Sequence, residues 1–201
     1  YYFKYYVGDQ QLNLFGNVIN LSYETFTSSF LLTGSVVTII GVVLTKWFSK
    51  LLDKKNTYAG FLIAAAVVNA VLYVVRPQDV ILIYVLNLLF SFFVGPVSVL
   101  QWAMYTDTAD YSEWKNNRRA TGLLMAASLF ALKLGLTLGG AFVGWLLAYY
   151  GFIANQEQTP EAMSGIVSLL SIFPAIFGIA GGLLMMRYPL TNKMMVKIEE
   201  D

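Results

Sequence analysis

The chain is 201 residues long, 57% hydrophobic and only 12% charged, half the roughly 25% charged share of soluble domains. Its 13 Lys and Arg against 12 Asp and Glu leave a net charge of +1, so no nucleic-acid partner is expected. It has neither Cys nor His, which excludes disulfides, thiol nucleophiles, Cys/His metal sites and imidazole acid–base chemistry.

Residues 1–7, tyrosine-rich around Lys4, are too short to cross a bilayer and read as the end of a preceding helix. There is no initiator Met and no signal-peptide pattern, so the chain is expected to be a piece of a longer protein. Residues 8–24 are polar enough for a loop, with room for a short helix. Beyond them, 25–45, 57–75, 80–106 and 162–186 carry no charge, and 120–150 carries only Lys133. About 20 apolar residues cross the hydrocarbon core as a helix, so each stretch qualifies. The expected fold class is an all-α polytopic membrane protein, with five full spans plus the end of a sixth.

The basic residues predict its orientation. One set of connections holds Lys46, Lys50, Lys54, Lys55, Lys115, Arg118, Arg119, Arg187, Lys193 and Lys197; the opposite set holds only Lys4 and Arg76. Lys and Arg in short loops mark the cytoplasmic side. The C-terminus is therefore expected in the cytoplasm and the amino end outside, with an incoming helix expected before Tyr1, giving six.

Polar groups inside the spans follow two faces. Asn87, Ser91, Gly95, Ser98, Trp102 and Tyr105 are spaced by three or four residues and share one side of a helix. Lipid offers these groups no hydrogen-bond partner, so the face looks into an aqueous cavity or, on the bland reading, packs against another helix. Pro96 invites a kink in the middle of this span. Trp102 offers an indole surface on which a sugar ring can stack, or it belongs to the interfacial aromatic belt.

Lys133 is the second signal. At ~1.5 Å per residue its ammonium lies roughly 20–24 Å from either end of its span, near the bilayer centre. A cation there costs about 2.5–3.5 kcal/mol on insertion scales and usually faces a bundle interior or water. Ala126, Phe130, Lys133, Thr137, Gly140 and Gly144 share its face, and Gly135 and Gly139 make a small-residue pair beside it. No span of the chain contains a carboxylate, so the partner of Lys133 is water, substrate, polar side chains or another part of the protein.

The connection 107–122 reads DTADYSEWKNNRRATG. Asp107, Asp110 and Glu113 fall on one helical face, and carboxylates at a helix C-terminus oppose its dipole. Lys115, Arg118 and Arg119 can compensate them, either as a solvated ionic loop worth ~0–1 kcal/mol per pair or as a gate that forms in one state and breaks in another. No Ser–His–Asp set, phosphate-cradling Gly loop or intramembrane carboxylate pair occurs, so an enzyme is not expected.

The run DTADYSEWKNNRRATG resembles the loop between the tenth and eleventh helices of the glycoside–pentoside–hexuronide:cation symporters, the melibiose-permease family of the major facilitator superfamily. YYFKYYVGD, LLDKKN, LFALKLGLTLGGAFVGWLL and RYPLTNKMMVKIEED agree with that resemblance in the expected order and cover essentially the whole chain. It implies that residues 1–201 are the C-terminal half of a major facilitator fold, from the end of helix VII to helix XII and the cytoplasmic tail.

It further implies a bacterial inner-membrane protein in which Lys133 matches a helix XI lysine of the central cavity. Asp107, Asp110, Glu113, Arg118 and Arg119 match the cytoplasmic gate. Substrate contacts are then expected from Lys133, Thr137, Trp102, Ser98, Asn87 and Ser91, with a sugar or glycoside as ligand. Ser98 stands where melibiose-permease-like members carry a sugar-stacking tryptophan, so the resemblance does not carry galactoside specificity to this chain; the loop is closer to members handling xylosides, glucosides or glucuronides. No covalent cofactor is implied. The coupling cation, sodium or a proton, is expected mainly in the N-terminal half, which with the lipid bilayer completes the partners. A carrier of a non-sugar solute and a non-transporting helical scaffold are the competing readings.

Overall fold

A computed structural model describes residues 1–14 and 17–200. A π-helical turn, Tyr2–Val7, leads into strands β1 (Gln10–Leu14) and β2 (Asn17–Leu21), paired antiparallel with Gln10 opposite Leu21 and Leu14 opposite Asn17. Helices follow: α1 (Tyr23–Leu52), α2 (Lys54–Val71) with a 3-10 turn at Leu72–Val74, α3 (Val80–Asn116), α4 (Thr121–Tyr149), α5 (Pro160–Leu170), α6 (Ile172–Met185) and α7 (Asn192–Glu200). With α5 and α6 counted together, five helical segments among the described residues are long and apolar enough to cross a membrane.

One sequence expectation needs correction and two gain detail. Residues 10–14 and 17–21 form a hairpin, where a loop with a short helix was expected. The span 80–106 runs on to Asn116, so Asp107, Asp110 and Glu113 lie on the last turns of α3 itself, which ends at Asn117 in a left-handed conformation (φ 50°). The span 162–186 is broken at Ser171. Pro174 has no N–H to offer the Leu170 carbonyl one turn back, and Asn69 of α2 supplies the donor instead, its Nδ2 reaching Leu170 O at 2.7 Å.

The starts of α1 and α5 carry side-chain caps, from residue types that favour that position. Ser22 Oγ accepts from Thr25 N while Asp9 Oδ1 accepts from Tyr23 N. Thr159 Oγ1 accepts from Ala162 N, with Pro160 in the first helical position. α1 and α3 cross with their backbones in contact, because glycine stands at both touching points. A Cβ on Gly41 would lie 2.5 Å from the Phe92 carbonyl, and one on Gly95 would lie 2.5 Å from the Thr38 carbonyl. Phe92 O is the group that Pro96 leaves without its intrahelical donor, so the close approach places Gly41 against a freed acceptor.

The core concentrates at the hairpin end. Tyr2, Val7, Phe26, Leu72, Val80, Ile83 and Ile166 are buried together there. The Phe3 ring lies 4.9 Å from both Phe26 and Phe30, so the Tyr2–Val7 turn plugs that end of the bundle. α4 behaves differently. No residue of its apolar window is buried, and Leu147 alone is buried along its length.

Candidate functional site

Among the described residues α4 packs on the bundle along one side only. Leu124, Ala127, Ser128 and Ala131 line a cavity of about 460 Å³ with Tyr58, Gln101, Tyr105 and Tyr188, and Phe142 meets Phe173 edge to face at 5.6 Å. At ~100° per residue, Ala126, Phe130, Lys133, Thr137, Gly140 and Gly144 fall on roughly the opposite side, and all six are exposed. The middle of α4 is exposed all round, and the face carrying the one intramembrane charge is the one turned away from the bundle. Among the described residues no carboxylate pairs with Lys133. Its carbonyl accepts from Thr137 Oγ1 at 2.9 Å, which leaves the Thr137 oxygen free to accept a further hydrogen bond.

The polar face of α3 divides into two parts. Asn87 and Ser91 are buried where α1 crosses: Asn87 Nδ2 donates to Phe30 O at 2.8 Å, and Ser91 Oγ reaches Asn87 Oδ1 at 3.4 Å. Both also border a cavity of about 410 Å³ between α1, α3 and the α5–α6 break, with Ser35, Thr38, Asn69 and Pro174 on its wall. Further along, the face leaves α1 and opens. Ser98 is exposed, its Oγ donating to Gly95 O, and Trp102 is 48% exposed against the edge of Tyr105. Ser98 and Trp102 therefore stand on open surface, whereas Asn87 and Ser91 serve helix packing as well as a cavity wall.

The five gate residues and their neighbours form two groups at the basic end. Arg119 donates to Asp110 at 2.8 Å and approaches Glu113 at 3.4 Å. These pairs are solvent-facing, and Arg118 is exposed, its carbonyl accepting from Ser112. Asp107 lies elsewhere. It is 9% exposed, and its cation is Lys54 at 2.8 Å, the first residue of α2, where Lys115, Arg118 or Arg119 was expected. Tyr188 sits beside this pair, donating from its hydroxyl to Met104 O at 3.2 Å and lying 3.1 Å from Thr108 Oγ1. Burial, with Asp107's charge, raises the Tyr188 phenol above its ordinary pKa against the pull of the Thr108 bond, so it remains a neutral donor.

Sequence reasoning missed four participants: Lys54 as the partner of Asp107, Asp53 and Asn192, which bond to each other across the chain, and Tyr188. The LLDKKN and YPLTN runs were the available signals, but which residue of one meets which of the other is a property of packing.

Residues 1–192 match the family described as MFS/sugar transport protein. Over 173 residues the chain is 31% identical to the putative glycoside/cation symporter YagG of Escherichia coli K12, covering 86% of this chain and 38% of that protein. It is 36% identical over 166 residues to the inner membrane symporter YicJ of the same organism, covering 82% and 36%. With the isoprimeverose transporter of Lactiplantibacillus pentosus the identity is 32% over 167 residues, covering 83% and 32%. The chain thus spans between 32% and 38% of the length of these relatives.

Proposed function

The chain belongs to the MFS/sugar transport protein family, the glycoside/pentoside/hexuronide:cation symporters of the major facilitators, and we propose that it forms one wall of a sugar pathway in such a symporter. The family consists of transporters, not enzymes, and its relatives here include inner-membrane symporters. On this reading residues 1–201 are the C-terminal half. The N-terminal half closes over the uncovered face of α4 and holds the coupling cation, sodium or a proton. The basic end lies in the cytoplasm, following the Lys and Arg distribution.

The observation that carries the reading is Lys133. Facing lipid, its ammonium would cost about 2.5–3.5 kcal/mol with nothing in return; facing the joint between two halves, it lies where facilitator substrates bind near the midplane. There Lys133 donates to sugar hydroxyls or a hexuronate carboxylate, Thr137 adds an acceptor, and Ser98 and Trp102 stand on the open part of α3. Asn87 and Ser91 contribute through the smaller cavity. Asp110, Glu113 and Arg119 form the exposed gate pairs, which break and reform as the halves rock.

The test is uptake by cells making the full-length protein. Radiolabelled xyloside, glucoside, glucuronide and isoprimeverose are offered with and without a sodium gradient at two external pH values. Gradient-driven accumulation of one of them is the expected result. Accumulation of none, with the protein verified in the membrane, would overturn the sugar assignment.

A further inference from the structure

We infer that α7 is a strut which positions Lys54 on Asp107, acting through Asp53 and Asn192. The inference rests on the alternating-access reading above. Asp53 is the single residue between α1 and α2, and it holds φ 74° and ψ 149°, a conformation that costs a non-glycine residue strain. Glycine would relieve it; aspartate has a carboxylate to use there. Both of its oxygens accept from Asn192 N, at 3.0 and 3.3 Å, at the first residue of α7, where a negative charge also suits the helix dipole. The Asn192 side chain completes the joint, its Nδ2 donating to Ser49 O at 2.9 Å and its Oδ1 accepting from Lys54 N at 3.4 Å. Met195 is buried one turn along α7.

Three consecutive residues of this corner therefore reach three different parts of the chain. Asp53 takes the start of α7, Lys54 takes Asp107 of α3, and Lys55 Nζ donates to Tyr188 O at 3.2 Å. Turning the corner at Asp53 would swing Lys54 off a carboxylate that is 9% exposed, and a poorly hydrated carboxylate without its cation is costly. Asp107 lies one helical turn before Asp110, which holds the gate pair with Arg119. The strut thus connects the end of the chain to the end of α3 on which the gate is built, and Asp53 and Asn192 are positioning residues for it.

The experiment uses the full-length protein without other cysteines, carrying Ala126→Cys on the uncovered face of α4 as a reporter. Inverted vesicles are labelled with a membrane-impermeant maleimide. Asn192→Ala and Lys54→Gln are each expected to raise the labelling rate about 3–10-fold, and the double variant to match the stronger single one, since both act through one contact. Asp53→Gly, which relieves the backbone strain while removing the cap, is expected to behave as Asn192→Ala and serves if that variant fails to reach the membrane. A rate within about twofold of the parent for these variants, or effects of Asn192→Ala and Lys54→Gln that multiply, would overturn the strut while leaving transport standing. A reporter labelled from neither face of the membrane in the parent would take down both readings.

Discussion

Lys133 separates a transport role from a structural one through opposite signs. Replacing it with methionine removes an insertion cost of about 2.5–3.5 kcal/mol, so Lys133→Met should reach the membrane at least as well as the parent. If the ammonium contacts substrate or tunes the cation site, uptake should nevertheless fall by tenfold or more, about 1.4 kcal/mol. Lys133→Arg keeps the charge but not the compact donor, and its uptake should lie between the two. Immunoblots of membranes beside initial uptake rates make the check, and unchanged uptake in Lys133→Met would remove the residue from the pathway. Its candidacy is legible without coordinates because a single cation interrupts an otherwise apolar run. The cation of Asp107 was not: Lys54 lies 53 residues away and is selected by how α2 meets α3, while three nearer cations follow Asp107 in the chain.

At the scale of elements the α1–α3 crossing is a joint of backbone against backbone, and it rests on two missing side chains. Gly95→Val should force the backbones apart, since its Cβ would meet Thr38 O at 2.5 Å and Val42 N at 2.9 Å. Overpacking of this kind costs about 1–3 kcal/mol. Gly60→Ala, inside α2 with nothing within 4 Å of the new Cβ, should be neutral or gain up to about 1 kcal/mol. Thermal unfolding of the purified full-length protein compares them; a Gly95→Val as stable as the parent would show that the crossing relaxes freely. The long helices were legible as uncharged runs. The hairpin was not, because four residues of alternation, Gln11-Leu12-Asn13-Leu14, are a weak signal beside stretches of about twenty apolar residues. Pro174 did mark the α5–α6 break, but composition alone makes 162–186 one span, and the Asn69 donor that tolerates the break comes from another helix.

For the whole molecule the telling asymmetry is between α4 and the central helices α2 and α3, with α1 at 11% lying between them. α2 and α3 bury a third or more of their apolar windows, whereas α4 buries none, though it is as long as α1 and carries Lys133. Lipid can cover Leu132, Leu136 or Trp145 at no cost, but it offers nothing to an ammonium or to Thr137 at mid-depth. A second bundle with polar groups or a water-filled joint is the surface that complements this face, which is how two six-helix halves enclose a substrate. The bundle should then work only as part of a pair. Made alone with an initiator Met, the chain should enter the membrane and accumulate no sugar above vector-only cells. Made beside a separate polypeptide carrying the other half, it should recover measurable gradient-driven uptake, and Lys133→Met in this piece should abolish that recovery. Accumulation by the chain alone would mean that the uncovered face of α4 closes on a second copy of itself, and the two-half arrangement would have to be given up.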